Sequence, residues 1–529
     1  IHTQLYSLRS ETNWGIGDLS DLCELISQAS SLGANFIGIN PIHSSFPANP
    51  NYASPYSSSS RYFLNFLYLD ITEVPEYPCC EKAKELVESR KFKDALSRLK
   101  NHPFVQYDEV AQIKLIVLRA LFEQFQTSGS LDRKRAFQYF IKSGGQRLRQ
   151  QVTFDALHWT TQQSRCQDVT GWYDFPETMR QYHSSDVEHF QEQNELELSF
   201  WSYLLWCVEE QFTQVQCIAR QSGMSIGVMT DLAVGASRRG AERWADEGTL
   251  CRQMNLGTPP DDQYPLGQNW GVAPFNPLVL KTRCYEDFIA LLRANMRFGG
   301  ALRIDHALSL FRQWFIPRNY EAKNGIYVYS DAEDMLSILA LESHRQQCTI
   351  LGEDIGDITA DMRAKFDEFG LYGYRVWLGE TTENSARLSL SVLSTHDTPT
   401  LSGFWHGKDI DFYKKIAKYS TSEYRLCKAK REQHKQSLLS QISLQMTPKY
   451  KRMSQKLMTQ LHLHVASKES ALFSFQLEDW LGMETPVNIP STSHHYSNWR
   501  RKLVETTQNV FNTEEFRMFC HELSSIREQ

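Results

Sequence analysis

The sequence predicts an α/β protein of parallel β/α units: a barrel of the TIM (β/α)8 type with largely helical insertions between its strands. Three observations predict it. Short, continuously apolar and β-branched segments recur along the chain, helically spaced stretches alternate with them, and several of the apolar segments run into a polar cluster. Parallel strands read as unbroken apolar runs because both of their faces are covered, by helices or by the packed barrel interior. A barrel of this kind carries its chemistry at the carboxyl ends of its strands. Periodicity alone leaves a doubly wound sheet as the alternative.

Taken in order, residues 35–42 (Asn35-Phe36-Ile37-Gly38-Ile39-Asn40-Pro41-Ile42) form the first clear strand-to-loop passage. The pattern repeats at Ser225–Asp231, Ala301–His306, Thr349–Asp354 and Leu390–Asp397. Two stretches do not fit simple β/α units. Residues 75–222 are rich in Gln, Glu, Arg, Leu and Phe at helical spacing, as in Lys114-Leu115-Ile116-Val117-Leu118-Arg119, and are expected to form a helical insertion subdomain. The polar, Lys- and Gln-rich residues 408–465 are expected to form a smaller one. The barrel would then be discontinuous, made of 1–74 and 223–529. No tandem repeat is visible.

A chain of 529 residues can bury a large core without a disulfide or metal staple. Its 56 Lys and Arg against 62 Asp and Glu give a net charge of −6, which argues against a nucleic-acid partner. The 11 cysteines are scattered and include no C-x-x-C pair, the usage of free thiols in a reducing compartment. No run approaches the ~18 apolar residues of a membrane helix, and the start (Ile1-His2-Thr3-Gln4) lacks a secretory pattern. Because that start is not methionine, residues upstream stay open. The expectation is a cytoplasmic protein with no membrane partner.

The chemistry concentrates at three strand ends. Arg303-x-Asp305-His306 puts a cation two residues from an aspartate, on the same side of an extended strand. There it could keep Asp305 ionised. Gly352-Glu353-Asp354-Ile355-Gly356 sets a glutamate between glycines, where burial would raise its pKa and suit it to give and take a proton. His396-Asp397-Thr398-Pro399 ends a further strand. Breaking a glycosidic bond needs two carboxyl groups across one anomeric carbon, and these segments could supply them. Each also has a plain structural reading: an ion pair for Arg303 and Asp305, helix caps for Glu353 and Asp397. Gly15-Ile16-Gly17-Asp18 lacks the third glycine of a dinucleotide fingerprint, and no P-loop, H-E-x-x-H or G-x-S-x-G is present. His494-His495 reads as surface.

At these residues the chain closely resembles the 4-α-glucanotransferases called amylomaltases or disproportionating enzymes, of the α-amylase clan. The resemblance is carried by Gln4–Ser10 with Asn13–Asp18, Ala53–Ser57, Asp231–Gly235, Gly267–Gly271, Leu302–His306, Gly352–Gly356 and Thr395–Asp397, in family order. It implies a retaining reaction with Asp305 as nucleophile, Glu353 as acid/base and Asp397 as transition-state stabiliser, with no metal and no cofactor. It also implies Tyr56, Asp231, Arg303, His306 and His396 as donor-sugar contacts, and Tyr52 with Gln268 and Trp270 in loops shaping the acceptor side. The partners so implied are maltooligosaccharides and α-1,4-glucans. Two departures from the resemblance are expected: the matching motifs begin at Gln4, so the extra amino-terminal domain of some bacterial members is expected to be missing, and Pro490-Ser491-Thr492 carries serine where glycine is expected. The rival readings are an α-amylase-like hydrolase with the same carboxylates, or a non-catalytic glucan binder that would have lost them.

Overall fold

The computed structural model describes residues 1–165, 167–261, 264–378, 387–416, 418–490, 492 and 495–528. Ser491 and His494 therefore lie outside the described residues. Eight short parallel strands among the described residues make the barrel: β1 (His2–Thr3), β2 (Phe36–Ile39), β3 (Gly227–Leu232), β4 (Ala301–Ile304), β5 (Thr349–Gly352), β6 (Gly373–Val376), β7 (Ser389–Val392) and β8 (Leu472–Phe473). Strands β1 to β5 pair in sequence order, with Gly38 opposite His2, Val228 opposite Ile37, Leu302 opposite Thr230 and Ile350 opposite Leu302. Strands β6, β7 and β8 do the same.

Two junctions turn these arcs into a ring. Between β5 and β6, the Gly352 amide donates to Tyr372 O at 2.8 Å and the Tyr372 amide to Ile350 O at 3.0 Å. Between β8 and β1, the His2 amide donates to Phe475 O at 2.8 Å and His2 pairs with Gln476. Spatial order thus equals sequence order and the sheet closes on itself. A doubly wound sheet would reverse its order and keep two open edges; here closure removes them.

Every residue of β1 to β7 except the half-buried Thr349 is buried, as expected of strands covered on both faces. Helix α1 (Leu19–Ser31) starts at an Asp18 capping box closed by Asp21. Between β2 and β3 the chain makes a short antiparallel pair (His43–Ser44 with Ser60–Leu64) and then a series of helices. The last of these, α2 (Glu195–Gln221), packs on α1 and delivers the chain to β3. After β3 a four-stranded antiparallel sheet, ordered Ile326–Tyr329, Arg312–Pro317, Met254–Thr258 and Gln268–Asn269, stands over one side of the barrel mouth. It positions the Gln268–Trp270 segment. No helix among the described residues is long and apolar enough to cross a membrane, and the ten described cysteines are free.

Candidate active site

Arg303 lies within β4, buried, in register with Asp231 of β3 on one side and Leu351 of β5 on the other. The residues just past the strand ends stay on the ladder. The Asp305 amide donates to Leu232 O at 3.0 Å, and the Glu353 amide to Ile304 O at 3.0 Å. Backbone pairing, not loop packing, therefore fixes where these two carboxyl groups start.

The Arg303 guanidinium gathers three carboxylates. Its Nη1 donates to both Asp231 oxygens at 2.8 Å and stands 3.4 Å from Asp305 Oδ1, while Nη2 lies 3.0 Å from Glu353 Oε1. A structural ion pair with Asp305 alone does not describe it, since its shortest contacts go elsewhere. The second Asp305 oxygen accepts the Val234 amide at 3.2 Å. The second Glu353 oxygen accepts the His306 amide at 2.8 Å, in a turn where His306 takes a left-handed φ of 46°.

These contacts correct the expected order of the two acids. Burial pushes the Asp305 carboxyl well above its ordinary pKa, and the neighbouring Glu353 charge adds to that against Arg303. Burial also works on Glu353, but Arg303 and the His306 amide outweigh it and leave its pKa lowered. The residue expected to be raised is depressed and its partner is raised, because Arg303 turns its closer edge to Glu353. His306 is lowered by burial, against the pull of Glu353, and so is a neutral imidazole near pH 7.

The third carboxylate is built differently. His396 and Asp397 follow β7 through Leu393–Thr395. Asp397 Oδ1 accepts the side-chain Nδ2–H of Asn488 at 2.6 Å, and its other oxygen lies 3.4 Å from His396 Nε2. Burial lowers His396, but Asp397 carries it above its ordinary value; partial burial disfavours the Asp397 charge, and His396 and Asn488 hold its pKa down nonetheless. The His396 ring stacks on Tyr56 (centroids 4.9 Å apart) and leans on Trp499 at 5.5 Å. The Tyr56 hydroxyl donates to Asp231 at 2.7 Å. A polar chain thus links Arg303, Asp231, Tyr56, His396 and Asp397 across the barrel mouth.

Of the residues singled out in the sequence, Asp305, Glu353, Asp397, Arg303, Asp231, Tyr56, His306 and His396 come together here. Trp270 joins them by standing edge-on to the His306 ring at 5.1 Å, with Gln268 accepting its indole N–H at 3.4 Å. Tyr52 stands apart: it is exposed and packs against Phe46 at 5.3 Å. Trp499 and Asn488 were not anticipated. Both come from irregular chain after Gly482, with no apolar strand leading into either.

A family model described as 4-alpha-glucanotransferase matches residues 3–507. A 4-alpha-glucanotransferase of Haemophilus influenzae is 36% identical, the match spanning 100% of this chain and 78% of that one. A Mycobacterium tuberculosis protein of the same description is 30% identical over 94% of this chain and 70% of its own length. Among solved structures, amylomaltase from Corynebacterium glutamicum superposes with a TM-score of 0.85 at 27% identity, covering 100% of this chain and 74% of that one. Amylomaltase from Streptococcus agalactiae, solved in complex with acarbose, shares the fold at 15% identity, with a TM-score of 0.77 and coverage of 100% and 99%.

Proposed function

The chain belongs to the 4-α-glucanotransferase family and is an enzyme of that activity, and on that premise we propose that it works by a retaining double displacement through a glucosyl-enzyme on Asp305. An Asp305 carboxylate oxygen attacks the anomeric carbon of an α-1,4-glucan. The bond from that carbon to the glycosidic oxygen breaks, and Glu353 gives its proton to the departing 4-oxygen. The ionised Glu353 then takes the proton from the 4-hydroxyl of glucose or a second glucan. That oxygen attacks the same carbon and releases Asp305. Two inversions preserve the α configuration.

The observation that carries this reading is one buried guanidinium touching carboxylates from three neighbouring strands at a single barrel mouth. It also sets a requirement. Asp305 is the raised acid and Glu353 the lowered one, whereas attack needs the reverse. Substrate supplies the change. An electron-poor anomeric carbon beside Asp305 favours its charge, and a glycosidic oxygen, which can only accept a hydrogen bond, favours the proton on Glu353. The pair titrates as a unit, so its pH–rate profile reports joint values.

Asp397, with His396, grips adjacent sugar hydroxyls and favours the flattened ring of the oxocarbenium-like transition state. Trp270 and Gln268 shape the acceptor side, where exclusion of water decides transfer over hydrolysis. The free thiols fit a cytoplasmic setting. Incubation with maltotriose tests the activity: a ladder of shorter and longer oligomers at a constant number of reducing ends is expected. A steady rise in reducing ends would instead make the enzyme a hydrolase.

A further inference from the structure

The turn after β3 does more than close a strand. Two successive peptide units meet at Ala233, and each is held at both ends. In the first, Leu232 O accepts the Asp305 amide at 3.0 Å while the Ala233 N–H donates to His43 Nε2 at 3.3 Å. In the second, the Val234 N–H donates to Asp305 Oδ2 at 3.2 Å while the Ala233 carbonyl, on the opposite side of the same plane, accepts Arg61 Nη1 at 3.3 Å. Arg61 Nη1 also reaches Val234 O at 3.0 Å. In a trans peptide the C=O and N–H point in opposite directions. Holding the Ala233 carbonyl therefore aims the Val234 N–H at Asp305.

Arg61 is itself clamped. Its Nε and Nη2 face Glu242, with Nη2 2.5 Å from Oε1, and its own amide donates to Glu242 Oε2 at 3.0 Å. The two side chains are 3% and 5% exposed. A buried ion pair is costly to desolvate and weak evidence of a stability role. A guanidinium has the planar fork needed to hold a carboxylate on one edge and two carbonyls with the remaining nitrogen; a lysine ammonium does not. Neighbouring contacts brace the pair: the Glu242 amide donates to Ser59 O at 3.1 Å and the Ala241 amide to Ser59 Oγ at 3.0 Å. His43 is buried and pushed down to about 3, by burial first and the Arg61 charge second, so its Nε2 is available as an acceptor.

We propose that Arg61, held by Glu242, is a positioning residue for the nucleophile, fixing the Ala233–Val234 peptide so that its N–H keeps one Asp305 oxygen anchored and favours the carboxylate's charge. This rests on the reading of Asp305 as nucleophile. The anchor acts on glucosyl-enzyme formation. It leaves proton transfer by Glu353 alone.

An α-maltosyl fluoride donor separates these effects, because fluoride departs without a proton from Glu353. Its kcat/KM, measured against pH, reports the joint ionisation of the Asp305–Glu353 pair in the free enzyme, of which the fluoride step needs only the Asp305 charge. Arg61→Lys keeps a cation facing Glu242 but loses the fork; kcat/KM is expected to fall about 10- to 100-fold, with the acid limb moved to higher pH. Glu242→Gln, which keeps shape and loosens the clamp, is expected to move the limb the same way by less, and it carries the test if Arg61→Lys does not fold by circular dichroism. An acid limb unmoved in the folded variants, or a loss that only tracks the folded fraction, overturns the proposal. If Asp305→Asn turns over the same fluoride normally, the nucleophile assignment has failed instead.

Discussion

The Asp305–Glu353 pair and the His396–Asp397 corner are both carboxylate sites past strand ends, yet they are built on opposite plans. The side chains of Asp305 and Glu353 are 17% and 21% exposed, start from the barrel ladder and share one buried guanidinium. The Asp397 side chain is 49% exposed and is held by one amide and one imidazole. The first region can redistribute charge without moving atoms. The second can meet a sugar that arrives from solvent. The difference teaches that equal sequence signals, an acid after an apolar run, can encode a chemical group and a gripping group.

Several perturbations break or sharpen that contrast. Asp305→Asn is expected to have the largest effect, lowering kcat for maltotriose transfer by at least about 10⁴-fold while the protein stays folded. Asp397→Asn should be smaller, about 10²- to 10³-fold in kcat, because it removes a grip rather than the bond-forming atom. A loss equal to that of Asp305→Asn would erase the distinction. Asn488→Ala, which frees Asp397 without removing it, is expected to cost about 10-fold in kcat/KM, one hydrogen bond to a charged group.

The smallest effects concern partition and pH. Trp270→Ala is expected to lower transfer several-fold more than hydrolysis, read as the ratio of new oligomers to new reducing ends; equal losses would remove it from the acceptor side. The His396–Asp397 pair gives a signed pH effect on stability. His396 is raised and Asp397 lowered, so their mutual contribution is in place between the ordinary carboxylate and imidazole values. It fades as pH rises through the raised His396 pKa and as it falls through the lowered Asp397 pKa. Thermal melts should show Asp397→Asn less stable than the parent by under about 1 kcal/mol in that window, with the gap closing above it.

What was legible in the sequence follows from the same physics. Five barrel strands, β2 to β5 and β7, announce themselves as apolar runs. The other three do not. β1 and β8 are two residues long, and β1 is made of His2 and Thr3. β6 carries Arg375 in its middle, tolerable there only because Asp354 takes it at 2.7 and 2.8 Å. The three carboxylates were readable because strand ends deliver them. Asn488 and Trp499 were not, since irregular chain delivers them, Trp499 with a left-handed φ of 60°. The order of the two acids depends on which edge Arg303 turns to each, which no spacing encodes. Tyr52 only adjoins the matching Ala53–Ser57 segment, and in the fold it packs on Phe46.

The most direct measurement is to trap the covalent intermediate. The Glu353→Gln variant, given an α-maltosyl fluoride, should form a glucosyl-enzyme that persists, because the departing fluoride needs no acid while the next step lacks its base. Peptide mass mapping is expected to find a maltosyl adduct on the segment containing Asp305, and on no other acid. An adduct on Asp397 or Asp231, or turnover that inverts the anomeric configuration without any adduct, would contradict the account.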